Sequence, residues 1–201
     1  MFDFRRGISS IILVLALAGC SEGTESIDLR VGLFVAGEDS LSARLRYDTG
    51  SKKESEFRGL DKSLESAITK ACRRTFSSVH VLESDPTQVT TNNGDLDLIV
   101  IATLLGSGGS FGYQGPPIWN RGESEQSFSV QLTFYTREMK QVSSVKASGK
   151  GSAESIGILF AAEKRALVKS VKAAIRNLGD DLVRQVRDNP DIRNMAERNG
   201  K

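Results

Sequence analysis

Apolar and polar side chains alternate along three stretches of the chain, and a fourth carries apolar residues at 142, 145 and 147. Residues 27–35 place Ile, Leu or Val at every second position, and residues 41–47 repeat the pattern after a turn-forming Gly-Glu-Asp segment. Residues 127–134 alternate in the same way and lead through a polar turn into 142–147. A period of two is typical of a strand with one buried face. The pattern predicts an opening antiparallel hairpin from the first two stretches and a second hairpin from the last two.

Apolar residues spaced three and four apart predict two helices. The first helix runs from about 60 to 76. The second runs from about 162 to 187, and Pro190 prevents it from continuing further. Between them, the nearly continuous apolar run 96–101 predicts a central strand buried on both faces, and a short strand is expected at 79–82.

The order of these elements contains no internal repeat and fits one domain at residues 27–188. It predicts an α+β fold, with an antiparallel or mixed sheet of about five or six strands and two main helices packed on one face. Residues 189–201 are expected to form a C-terminal tail or a short helix.

The N-terminal segment has the features of an export signal. Arg5 and Arg6 precede an apolar stretch that is well short of the ~20 residues needed to span a bilayer. The four residues 17–20, Leu-Ala-Gly-Cys, resemble the lipobox of bacterial lipoproteins. That resemblance implies that residues 1–19 are a signal peptide and that Cys20 is lipidated.

Lipidation of Cys20 would have two consequences. Residues 20–26 would be the lipidated cysteine and a short tether, so the domain would sit within about 20 Å of a membrane. Ser21, rather than Asp, follows the cysteine, which by resemblance to enteric lipoproteins implies the outer membrane with the domain facing the periplasm. Cys72 would then be a lone thiol, and its helical spacing predicts a core position.

Composition excludes several classes of protein. The 201 residues carry 27 Lys and Arg against 25 Asp and Glu, a net charge of +2, so nucleic acid is not an expected partner. With one His and two Cys, the chain cannot build a zinc site from two cysteines and two histidines, or from four cysteines. No metal and no cofactor is expected.

Two motifs resemble catalytic sites, and neither has the context that catalysis needs. Residues 108–112 match G-x-S-x-G after a hydrophobic strand, but the following Gly-Pro-Pro segment cannot begin the helix that a nucleophile elbow needs. The only histidine, His80, also precedes Ser110 in the chain. Lys150 lies in a Ser-Gly-Lys-Gly-Ser stretch that lacks the first glycine and the hydroxyl residue of a phosphate loop. The prediction is a protein that is not an enzyme, with no catalytic residues.

Residues 106–125 are rich in glycine, and this composition predicts a long loop without regular structure. The segment also contains the only Trp of the chain. We interpret Phe111, Tyr113, Ile118 and Trp119 as a contact surface for a partner protein or for the membrane interface. The alternative is a loop that folds back so that Trp119 covers the core. A basic face on the last helix is a further candidate for anionic lipid or an acidic partner, with a solvated helix face as its alternative; its residues are Lys164, Arg165, Lys169, Lys172 and Arg176.

The lipobox, the order of elements and the Lys-Ala-Ser-Gly strand end at 146–149 resemble the YajG-like outer-membrane lipoproteins. The topology is also similar to that of PelC, CsgG, LpoB and the N-terminal domain of TolB. The resemblance implies a non-enzymatic lipoprotein that acts as a periplasmic accessory or scaffold in envelope assembly or export. It would hold to the membrane through its anchor, bind an envelope protein and form a homo-oligomer. A regulator of an envelope enzyme, like LpoB, and a lipid or lipopolysaccharide handler, like LptE, are the alternatives.

Overall fold

The computed structural model describes residues 26–36, 60–87, 95–114, 120–157 and 161–199. Five strands and three helices are present in this part of the chain. In chain order they are β1 (Ile27–Val35), α1 (Leu60–Thr75), β2 (Phe76–Val81), β3 (Leu98–Gln114), β4 (Asn120–Tyr135), β5 (Gln141–Gly157), α2 (Ala161–Arg187) and α3 (Pro190–Asn199).

The five strands form one mixed sheet in the order β2-β1-β3-β4-β5. Strand β1 pairs parallel with both β2 and β3, whereas β3, β4 and β5 form an antiparallel meander. The predicted α+β class, the mixed sheet and the hairpin of β4 and β5 are therefore confirmed. The central strand is confirmed too, since β3 is the middle strand and both Ile99 and Val100 are fully buried.

The predicted opening hairpin is not formed along β1. From Val31 to Leu33, β2 occupies one edge of this strand and β3 the other, so no third strand can pair there. Alternation along 27–35 indicated a strand correctly, but a period of two does not specify which strand becomes the neighbour. Residues 41–47, the predicted partner, lie outside the described residues.

One hydrophobic core lies between the sheet and the two long helices. Its aromatic centre is Phe76 and Phe134, whose ring centroids are 6.3 Å apart. Alternate residues of the strands, one face each of α1 and α2, and Ile192 of α3 supply the rest of this single cluster. Asn189 begins α3, because its Oδ1 accepts hydrogen bonds from the backbone amides of Asp191 and Ile192, with Pro190 at the first helical position.

An acidic side chain at the start of β3 contacts both β1 and the turn between β4 and β5. The backbone amide of Arg30 in β1 donates to Oδ2 of Asp97 across 2.8 Å, and the Arg30 and Arg137 guanidinium groups each lie 3.3 Å from its carboxylate. Burial of Asp97 opposes ionisation, but these donors outweigh it and hold the pKa of Asp97 below its ordinary value. Asp97 therefore ties β1 and the β4–β5 turn to the entry of β3.

Candidate contact surface

The glycine-rich segment forms a β-ribbon at 106–114 and 120–125, so the predicted absence of regular structure is wrong for these residues. Strand β3 continues to Gln114, β4 begins at Asn120, and the two pair in register from Ser107 opposite Phe128 to Gln114 opposite Arg121. Strand β5 extends the ribbon to Gly157. The backbone ladder needs no apolar alternation, so glycine and serine can form the strand without the side-chain pattern that predicts one.

The ribbon separates the predicted contact residues into two pairs. Phe111 is in register with Ser124, and Tyr113 is in register with Gly122, so the two aromatic positions lie two residues apart on one face of β3. Ile118 and Trp119 lie in 115–119, outside the described residues, as does the predicted lipidation site Cys20.

Beneath the ribbon, the side that faces α2 is polar. Ser124 and Gln126 are buried, and Oγ of Ser170 in α2 donates to Oγ of Ser124 across 2.9 Å. The Gln126 amide nitrogen lies 3.2 Å from the same Ser124 oxygen, whereas its Oε1 is buried with no hydrogen-bond partner in the described part of the protein. Two residues further along β4, Phe128 begins the apolar core. A hydrogen bond between polar side chains thus helps to hold the ribbon against α2.

The opposite face of the ribbon is exposed and charged. Arg121 forms ion pairs with Glu123, across 3.3 Å, and with Glu154 of β5. Next to them, Ile156 exposes 69% of its surface. Phe111 and Tyr113 do not belong to this charged face. They are in register with Ser124 and Gly122, so their positions lie on the side of the ribbon that carries Ser124 and Gln126.

The structure separates the two residues of the candidate hydrolase motif. His80 is in register with Gly32 of β1, which is in register with Ile99 of β3, and Ser110 lies eleven positions further along β3. At ~3.3 Å per residue, this corresponds to about 36 Å of strand. Ser110 is followed by strand rather than by helix, so the G-x-S-x-G stretch is not a nucleophile elbow.

The other two candidates also have structural roles. Lys150 is part of β5, and its carbonyl accepts a hydrogen bond of 2.7 Å from Nδ2 of Asn177. Cys72 is buried in α1 as expected, and burial raises the pKa of its thiol to about 12. Among the described residues, no cluster of three or more His, Cys, Asp or Glu side chains could hold a metal ion.

The basic face predicted on the last helix is divided. Lys164, Arg165 and Lys169 are exposed on α2, whereas Lys172 and Arg176 line a groove between α2 and α1 together with Lys70 and Arg74. Reasoning from one helix at a time missed the two residues of α1, because only the packing of the helices brings the four cations together. None of the described helices is both long and apolar enough to span a membrane.

Comparisons with known proteins return structural likeness only. No family model and no curated protein matches the chain. A neuraminyllactose-binding hemagglutinin homolog from Helicobacter pylori is 10% identical, with 88% of this chain and 92% of that chain covered and a TM-score of 0.48. The PelC dodecamer from Paraburkholderia phytofirmans is 7% identical, with coverages of 84% and 90% and a TM-score of 0.37.

A minor lipoprotein from Acinetobacter baumannii is also similar, at 10% identity, with coverages of 87% and 96% and a TM-score of 0.33. These likenesses are too distant to carry an argument about function. The resemblance to YajG-like lipoproteins stays a prediction.

Proposed function

We propose that this chain is a non-enzymatic lipoprotein, anchored through Cys20 in the outer membrane, that acts as a periplasmic scaffold in envelope assembly or export. The observation that carries the proposal is the β3–β4 ribbon, which holds Phe111 and Tyr113 and whose two strands are joined by the segment containing Ile118 and Trp119. Trp and Tyr are enriched among the residues that carry most of the binding energy of protein interfaces. The lipobox supports the anchor, and the short tether places the domain near the membrane.

Capture from native membranes tests the scaffold. The lipidated protein is crosslinked in its host, purified and analysed by mass spectrometry beside Trp119→Ala and Phe111→Ala variants. We expect stoichiometric recovery of an envelope assembly or export component, reduced at least about tenfold in both variants, which is a usual effect of removing an interface aromatic.

Leu105→Ala is the matched control, because Leu105 is an apolar residue of β3 that is already 50% exposed. Equal loss of the partner in this control, or unchanged capture by the Trp119 and Phe111 variants, would contradict the assignment of the contact to the ribbon. Recovery of lipid alone, with the same liposome binding in all variants, would contradict the scaffold as a whole.

Localisation is tested separately. Fractionation of membranes on a density gradient should place the protein with the outer membrane. A Ser21→Asp variant should move it to the inner membrane, as the lipoprotein resemblance implies. A Cys20→Ala variant should leave the protein unprocessed, and processing at the normal position in that variant would argue against the lipobox.

We also propose that the chain self-associates through the distal edge of β5. Two side chains of α2 occupy part of this edge, since Asp181 binds the amide of Ser148 and Asn177 binds the carbonyl of Lys150. Beyond them, no strand in the described part of the chain pairs with the outer edge from Ser152 to Gly157. Unpaired edges favour strand addition, and native mass spectrometry of the detergent-solubilised protein would reveal the oligomer.

A further inference from the structure

A groove of about 380 Å³ separates the two long helices, and its walls are basic. Lys70 and Arg74 of α1 lie on one side, and Lys172 and Arg176 of α2 lie on the other. All four side chains are exposed. Small and aliphatic residues form much of the remaining lining, which also includes Ser63, Ser66 and Asp180; they are Ala67, Ala71, Val171, Ile175 and Gly179. The groove therefore combines an apolar base with a cationic rim.

The charges of this groove are not balanced within the described residues. Asp180 is the only carboxylate among its lining residues, and it is paired with Arg74 at 2.7 Å. No ion-pair partner of Lys70, Lys172 or Arg176 exists in the part of the chain that the structure describes. Three cations around one cleft repel one another and raise the local concentration of anions, so an anionic group placed between them would relieve the repulsion.

The position of the groove favours a lipid as the source of that anion. Arg74 lies two residues before Phe76, which pairs in register with Ile27 at the start of β1. The guanidinium of Arg187 also donates to the carbonyl of Arg74 across 2.8 Å, at the same end of the helices. The described part of the chain enters the domain at this end, so the proposed tether would hold the arginine end of the groove near the membrane surface.

We propose that the groove between α1 and α2 binds the phosphate of an anionic phospholipid headgroup, with Lys70, Lys172 and Arg176 as its cationic ligands. The choice of a lipid rests on the proposed anchor. Each cation close to an anionic membrane surface contributes to binding. The aliphatic base of the groove would contact the glycerol portion of a headgroup more favourably than it contacts water. Bound lipid would fix the orientation of the domain on the membrane as well as its distance from it.

Footprinting of lysines in the full-length lipidated protein tests this site. The protein is reconstituted into nanodiscs of phosphatidylcholine, with or without phosphatidylglycerol, and acetylated with an amine-reactive reagent. Mass spectrometry then gives the modification at each lysine. We expect phosphatidylglycerol to slow acetylation of Lys70 and Lys172 several-fold, while the exposed Lys164 and Lys150 stay unchanged. Equal slowing at all four lysines, or at none, would overturn the site.

A matched pair of variants separates the groove from general attraction. Lys172→Gln with Arg176→Gln removes two charges inside the groove, and Lys164→Gln with Arg165→Gln removes two charges of the same helix outside it. Only the Lys172→Gln, Arg176→Gln variant should lose the protection of Lys70. Its binding of phosphatidylglycerol should weaken by roughly tenfold at physiological salt, where charge interactions are partly screened. The same loss in the second variant would overturn the assignment.

Two further measurements identify the source of the anion and the role of the anchor. Protection of Lys70 by free glycerol phosphate in discs of phosphatidylcholine alone, at the same phosphate concentration, would overturn the lipid as the ligand. Retention of the protein on phosphatidylcholine discs measures the anchor independently. If retention fails there, the anchor is wrong, yet binding to phosphatidylglycerol discs that depends on Lys172 and Arg176 would still support the groove.

Discussion

Gly149 in β5 lies directly against Ala174 in α2, because a β-carbon built on Gly149 would be 2.1 Å from the carbonyl oxygen of Ala174. Two residues further along β5, a β-carbon on Gly151 would be 2.2 Å from the carbonyl oxygen of Ser170. The colliding atoms are backbone atoms, which cannot rotate away as a side chain can. In the Ser-Gly-Lys-Gly-Ser stretch that resembled a phosphate loop, the glycines thus let the backbone of α2 lie directly against β5.

Replacing Gly149 by alanine should destabilise the protein strongly. The added methyl group must move α2 away from β5, and overpacking of this kind costs about 1–3 kcal/mol, or more where the obstacle is backbone. Urea denaturation followed by circular dichroism would measure the change in the free energy of unfolding. Gly112→Ala is the control, since a β-carbon on Gly112 would have no heavy atom within 4 Å. A loss of stability as large in the control would refute the packing argument.

The Asp97 carboxylate should make stability depend on acid pH. Its pKa is lowered in the folded protein, because the opposing effect of burial is outweighed by the hydrogen bonds and charges of Arg30 and Arg137. A lowered pKa gives stabilisation that is present above the unfolded value of about 3.9 and is lost as the pH falls through the folded value. Asp97→Asn should therefore lose about 1–2 kcal/mol at neutral pH.

Chemical denaturation of both proteins between neutral pH and pH 3 gives the test. The difference in unfolding free energy should stay constant down to about pH 4 and then shrink, since wild-type Asp97 becomes protonated while the asparagine does not titrate. Asp95→Asn, a neighbouring exposed carboxylate, provides the comparison. A difference between wild type and Asp97→Asn that does not change with pH would show that the ionised carboxylate contributes nothing.

Sequence patterns predicted the elements that have one buried face. Phe128 and Phe134 lie in a strand whose alternation matches its burial, and the helical spacing around Cys72 placed that thiol in the core. The ribbon at 106–114 escaped prediction, because its glycines and serines carry no apolar period and the strand is held by its backbone ladder with β4. The parallel neighbours of β1 also escaped, since the pairing depends on where α1 returns the chain.

The sequence indicated the aromatic residues of the candidate surface. That Phe111 and Tyr113 share one face of a strand follows only from the strand register. The cations of the groove show a second limit of prediction from sequence. Lys172 and Arg176 could be recognised as part of a basic helix face, whereas their proximity to Lys70 follows from the packing of α2 on α1. Contacts between elements distant in the sequence leave no periodic signal in either element.

Removing the two side chains that cover the β5 edge should increase self-association. Asp181 accepts from the amide of Ser148 at 2.9 Å, and Asn177 donates to the carbonyl of Lys150 at 2.7 Å. In an Asn177→Ala, Asp181→Ala double variant these backbone groups would be open to another strand. Sedimentation velocity should show larger species at equal protein concentration, with a loss of roughly 1–2 kcal/mol in stability.

The control for this variant is Asp180→Ala, which removes a neighbouring carboxylate that pairs with Arg74 rather than with β5. It should leave the sedimentation profile of the detergent-solubilised protein unchanged. If the double variant sediments like wild type while its stability falls, the side chains serve the packing of α2 and do not protect the edge.

The number of reactive thiols tests the core position of Cys72 and the lipidation of Cys20 in one titration. The chain has two cysteines, and a lipidated Cys20 carries a thioether that cannot react with a disulfide reagent. In the folded protein, Cys72 is buried with a thiol pKa of about 12, so at pH 8 its reaction should be at least roughly a thousandfold slower than that of an exposed cysteine. In urea, the purified mature protein should titrate one thiol, and a Cys72→Ala variant should titrate none. Two thiols in urea would show that Cys20 is unmodified and would remove the basis of the anchor. One thiol that reacts rapidly before urea is added would instead contradict the buried position of Cys72, because only a thiol reached by solvent ionises readily at that pH.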